Sequence, residues 1–91
     1  MIQKAIITVV GKNATGIIAK CSTFLYEHNV DILDIAQTVL DGMFNMMMIA
    51  DVTNMDITFE ELASGMKEIS GKIGVESHCQ REEIFNMMHR I

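Results

Sequence analysis

The chain has 91 residues, 49% of them hydrophobic, with 12 acidic against 7 basic side chains and a formal net charge of −5. A chain this short makes one domain, residues 1–91, which buries about 60–65% of its unfolded surface and needs added support to be comfortably stable. The acidic balance, the missing basic patch and the scarcity of aromatics argue against nucleic-acid binding. The apolar run Ala5–Val10 is too short for a signal peptide, and no run is long enough to span a membrane.

The first residues, Gln3 to Val10, read as a strand rich in β-branched side chains, apolar on both faces and therefore expected to be central and covered on both sides. The stretch Gly11-Lys12-Asn13-Ala14-Thr15-Gly16 then reads as a loop that restarts the chain as a helix, with Asn13 or Thr15 as the expected N-cap. Free backbone N–H groups at such a helix start suit a carboxylate or other anion. The helix is expected over 15–28, with Ile17, Ile18, Cys21, Phe24, Leu25 and His28 along one stripe and Asn29 as a left-handed residue at its end.

A second strand is expected over 30–40. Its parity breaks between Ile32 and the set Leu33, Ile35 and Val39, which a bulge near Leu33-Asp34 would reconcile, and Asp34, Gln37 and Thr38 give it the polar character of an edge. Asp41-Gly42 marks a tight hairpin into a third strand over 43–52, whose Phe44 and Met46 to Ala50 leave almost no polar face and predict burial on both sides. Thr58-Phe59-Glu60-Glu61 is a capping box opening a second helix over 58–72, with Phe59, Leu62, Ala63, Met66, Ile69 and Ile73 as its buried stripe and Gly71 and Gly74 closing it. A fourth strand over 75–81 alternates Val75, Ser77 and Cys79 against Glu76, His78 and Gln80. A short last helix is expected over 82–90, with Ile84, Phe85, Met88 and Ile91 on its apolar side.

The order βαββαβ, with right-handed crossovers, predicts an α+β ferredoxin-like sandwich: a four-stranded antiparallel sheet in the order 4-1-3-2 with two helices on one face. The second face, carrying part of Ile6/Ile7 and the Met46–Met48 run, is then too apolar to stay wet, and a covering element or partner is expected. The nine methionines read as core or interface. Cys21 and Cys79 form no CxxC and read as reduced residues of a cytoplasmic protein; the three histidines lack zinc-ligand spacing, so no metal and no cofactor are expected. Without such staples, oligomerisation is the expected support.

With this order and loop in view, the chain resembles the ACT domain over essentially its whole length. The resemblance rests on Val9-Val10-Gly11-Lys12-Asn13-Ala14-Thr15-Gly16-Ile17 and Asn29-Val30-Asp31-Ile32, and the tail Ile84-Phe85-Asn86 with Met88-His89-Arg90-Ile91 is similar to that of single-ACT proteins of uncharacterised role. The resemblance implies a non-catalytic regulatory module, a homodimer paired through its second strands, and an amino-acid-like effector at that seam. A protein partner to be regulated is a further implication, while higher oligomers through the Met-rich face are an expectation from its uncovered apolar side chains. Carried over residue by residue, the ligand set is Gly11, Lys12, Asn13, Thr15, Gly16, Ile17, Asp31 and Ile32. Asn13 matches a ligand-binding amide, Gly16 the glycine before the helix, and Asp31 the strand position where Asn is common. Thr15 replaces a usual proline, and Gly11 stands where some members have histidine.

Each of these residues also has a plainer reading. Gly11 and Gly16 suit backbone turning and close packing, Asn13 a helix cap, Lys12 a solvated charge and Asp31 a polar strand start. His78 and Cys79 are strand neighbours facing opposite ways, which argues against a Cys–His pair, and no nucleophile–base pair or metal cluster can be assembled. A scaffold that regulates a partner through the same dimer surface, with no small ligand, is the alternative reading.

Overall fold

Six elements follow in order: β1 (Lys4–Lys12), α1 (Ile17–Glu27), β2 (Asp31–Leu40), β3 (Met43–Asp51), α2 (Phe59–Ile73) and β4 (Val75–Arg81). The computed structural model describes residues 2–12 and 16–83. Of the helix expected over 82–90, Glu82 and Glu83 are helical, and the rest lies outside the described residues.

The strands form one antiparallel sheet in the order β2-β3-β1-β4, so β1 and β3 are central as expected. The register pairs Ala5, Ile7 and Val9 with Ala50, Met48 and Met46, placing these side chains on one face. There they share a single core with Ile17, Cys21 and Leu25 of α1 and Leu62 and Met66 of α2. Each large aliphatic side chain so enclosed contributes roughly 1.5–3 kcal/mol, which is how so short a chain holds a two-layer sandwich.

The local signals that build the elements are visible one by one. Asp41 (φ 53°) and Gly42 (φ 77°) are both left-handed, the conformation a two-residue hairpin turn requires. The β2–β3 register shifts between Ile32 and Asp34, where the parity break predicted a bulge. At the start of α2 the Thr58 hydroxyl accepts from the Glu61 N–H (3.1 Å) while the Glu61 carboxylate accepts from the Thr58 N–H (2.9 Å). Asn29 (φ 60°) ends α1: its N–H donates to the Tyr26 carbonyl and the Val30 N–H reaches back to that of Leu25 (2.9 Å). Val30 and Leu25 are both core residues, which completes this type of C-terminal cap.

Several expectations need correction. β1 does not stop at Val10: Gly11 and Lys12 pair with Phe44 and Met43, because glycine lets the ladder continue where β4 crowds it. The N-cap of α1 is Gly16, left-handed at φ 86° and without a side-chain cap bond. Gly71 lies inside α2, and Gly74 (φ 93°) is its cap. Ile18 is 37% exposed, because the buried stripe of α1 runs through Ile17, Cys21 and Leu25, spaced by four. The burial expected for both faces of the central strands holds for the helix-covered face. On the other, Ile6 is buried but Val10, Met43 and Met47 are exposed. An unbroken apolar run reports what side chains a strand carries, and both helices here cover the same side.

Candidate functional site

The predicted ligand set divides into two groups that one chain cannot bring together. Lys12 pairs with Met43, which pairs with Leu40, so the exit of β1 lies at the hairpin end of the sheet. Asp31 pairs with Asp51, which pairs with Lys4, so Asp31 and Ile32 lie at the opposite end. The eight residue steps of β1 between those ends span about 26 Å. Asn13 and Thr15 lie outside the described residues.

At the hairpin end, Gly11 has a strong packing reason to be glycine. A Cβ there would lie 2.7 Å from Val75 Cγ1 and 2.9 Å from Val75 Cα. Gly16 turns the chain into α1 and accepts through its carbonyl from the Lys20 N–H (2.9 Å). The first turn of α1 holds no acidic residue, in contrast with Glu60 and Glu61 at the start of α2. The N–H groups of that turn are therefore not met by a carboxylate of their own helix, so the positive end of the helix dipole has no acidic side chain of α1 beside it. Ile17 is buried in the core and serves packing. The exposed Lys12 ammonium makes no ion pair or hydrogen bond with a described residue.

At the other end, Asp31 is exposed and its carboxylate likewise has no described partner. The surroundings are firmly braced. His28 Nδ1 meets the Asp56 carboxylate at 2.9 Å, Asn29 Nδ2 donates to the Asn54 carbonyl, and the Gln3 N–H donates to Thr53 Oγ1. Asp51 accepts from both the hydroxyl (2.6 Å) and the N–H (2.9 Å) of Thr53, which together hold its carboxyl below the ordinary carboxylate range. The exposed carboxylate of Asp31, with no partner among the described residues, thus projects from a fixed corner.

Between the two ends runs β2, ten residues long and paired only on its β3 side within the described chain. Leu33, Ile35, Val39 and Leu40 are between 42% and 75% exposed. An open edge of that length bearing aliphatic side chains is a surface for another strand.

The surroundings of both thiols disfavour the thiolate. Burial raises the Cys21 pKa, and it pushes that of Cys79 up to about 11 despite the nearby Lys67 ammonium. Among the described residues no group of three or more His, Cys, Asp or Glu could hold a metal, and no helix is long and apolar enough to cross a membrane. Two polar side chains among the described residues are buried: Ser70, on the inner stripe of α2 and absent from the sequence reading, and Ser77, on the parity of β4 that the sequence reading shared with Val75 and Cys79. Their positions on those two patterns were the available signal.

Known proteins share this fold and its sequence. The ACT domain family model matches residues 3–80. The UPF0237 protein of Bifidobacterium longum is 54% identical over 89 residues, covering 98% of this chain and 99% of that protein. That of the archaeon Methanocaldococcus jannaschii is 38% identical over 89 residues with the same coverage of each chain. Among solved structures, an ACT domain protein from Streptococcus pneumoniae superimposes with a TM-score of 0.79 at 37% identity, over 91% of this chain and 93% of that one. ACT domains are regulatory modules and not catalysts. On fold and sequence alike, this chain belongs to the ACT domain family and, within it, to the UPF0237 group.

Proposed function

We propose that the chain works as a homodimeric sensor, in which two β2 edges pair and an amino-acid-like effector binds at the seam. The observation that carries this reading is the ten-residue edge of β2 with its exposed Leu33, Ile35, Val39 and Leu40. A strand that pairs with its own copy about a two-fold axis perpendicular to the sheet runs antiparallel to it. The hairpin end of one protomer then lies beside the Asp31 end of the other. Pairing of this kind supplies what one chain lacks: the loop with Lys12, Asn13, Thr15 and Gly16 comes next to the partner's Asp31 and Ile32.

The chemistry on the two sides is complementary to a zwitterion. N–H groups at the start of α1, with no acidic side chain in that turn and Lys12 at the exit of β1, suit an α-carboxylate. The unpaired Asp31 carboxylate suits an α-ammonium. An effector that bridges two protomers binds the dimer and not the monomer, so it strengthens the dimer or shifts it toward one of its conformations, which a regulated protein partner then reads. The exposed Val10, Met43 and Met47 on the outer sheet face offer a further surface through which dimers associate.

Thermal melting against each of the twenty amino acids, with sedimentation at micromolar protein, tests the proposal. It predicts a dimer, and at least one amino acid that raises the Tm in the parent chain and fails to do so in Asn13→Ala and Asp31→Ala. A dimer that responds to none of them favours a scaffold acting through the same surface. A monomer at those concentrations removes the site altogether.

A further inference from the structure

We propose that the groove between the C-terminal half of α2 and β4 is a second ligand site, taking a small carboxylate-bearing molecule through Ser70, Ser77 and Lys67. The groove is an open depression of about 300 Å³, large enough for a small organic anion. It lies along β4, at the edge of the sheet opposite β2, and so stands apart from the dimer seam.

Two independent features point to a ligand. Ser70 and Ser77 are 1% and 4% exposed, and neither Oγ has a hydrogen-bond partner among the described residues. Buried hydroxyls are paired in the great majority of cases, and one left unmet is costly. Here two from different elements line the same groove. Alanine at either position would keep nearly the same packing without that cost, so packing gives no reason for serine. The second feature is charge. Lys67 lines the groove and makes no ion pair or hydrogen bond with a described residue. Two O–H donors and an ammonium match a carboxylate.

Glu76 and His78 line the same groove. The Glu76 carboxylate repels a phosphate dianion more than a carboxylate, which favours the singly charged group. Both Oγ atoms lie beneath the surface water reaches, so the ligand meets them as α2 and the edge strand β4 part slightly at the groove floor. Gly71 borders the opening, and a Cβ there would meet no atom within 4 Å.

The test titrates acetate, succinate and inorganic phosphate separately into the full chain, following the backbone amides of Ser70, Gly71 and Ser77 by NMR together with the Tm. A saturable shift at those amides with a carboxylate, at least tenfold weaker with phosphate, is expected. Ser70→Ala and Ser77→Ala should each melt higher than the parent without ligand and bind the carboxylate at least tenfold more weakly. Gly71→Leu, which fills the opening from a position with room, should keep the parent Tm or exceed it and lose the response. Phosphate binding as tight as carboxylate overturns the assignment. No saturable shift in any arm overturns the site, as does carboxylate affinity unchanged in the alanine variants.

Discussion

Replacing Gly11 by alanine separates the packing role of this residue from any role in a ligand loop. The added Cβ would lie 2.7 Å from Val75 Cγ1 and 2.9 Å from both Val75 Cα and Cβ, where carbon atoms at rest sit about 3.5–4.0 Å apart. The excess cannot be absorbed by a rotamer change, because one of the three atoms is backbone. Gly11 and Val75 are register partners in the β1–β4 ladder, and Val75 is 6% exposed and part of the core. β4 must therefore shift by most of an ångström against a strand that is itself fixed by β3. Overpacking of this size costs about 1–3 kcal/mol, and the lower entropy of an unfolded alanine returns about 0.4–1 kcal/mol. A net loss of roughly 1–2 kcal/mol lowers the Tm of a domain this size by about 5–15 °C. The assay is thermal and urea unfolding of parent, Gly11→Ala and Gly71→Ala at one protein concentration, since association makes melting concentration-dependent. Gly71→Ala is the internal control: it lies inside α2 with open space around it, so the same chemical change should stabilise by about 0.5–1 kcal/mol. A Gly11→Ala protein that melts at or above the parent would refute the packing account.

Other outcomes follow from the same geometry. Thr58→Ala removes one half of the reciprocal cap on α2 and should cost about 1 kcal/mol, read as a lower urea midpoint with an unchanged slope. Cys79 should be alkylated far more slowly at pH 8 than an ordinary thiol, because burial raises its pKa to about 11. The unfolded thiol ionises near the ordinary value of 9.0 while the folded one stays protonated, so its contribution to stability is intact below pH 9 and is lost as pH rises toward 11; a urea midpoint that rises across that range would contradict it. Thr53→Val should raise the Asp51 pKa toward the ordinary carboxylate value, followed by NMR titration, because both hydrogen bonds that depress it come from Thr53 and the hydroxyl supplies one of them.

The architecture was legible in the sequence wherever one residue type has one cheap solution. Asp41-Gly42 has few alternatives to a tight hairpin turn, Thr58 with Glu61 to a capping box, and the parity break after Ile32 to a bulge. Burial was harder to read. Met47 belongs to an apolar run, 46–50, as continuous as that of a doubly covered strand, yet it faces away from both helices. Hydrophobicity limits what a side chain prefers, not what the fold places over it. For the candidate site, the sequence offered names without an arrangement in space. Nothing in the spacing of Lys12 and Asp31 says that they stand at opposite ends of the sheet; that follows from the antiparallel register of β1, β3 and β2. Gly11 reads equally as loop or strand until the position of Val75 is known.

The shared seam is tested most directly by mixing two defective chains. Asn13→Ala and Asp31→Ala are prepared separately, combined in equal amounts, unfolded, refolded together and titrated with the amino acid that stabilises the parent. If each site takes its loop from one protomer and its Asp31 from the other, neither variant binds alone, while half of the mixed dimers are heterodimers with one intact site each, so about a quarter of all sites recover parental affinity. A mixture that binds no better than the two variants apart would contradict the account.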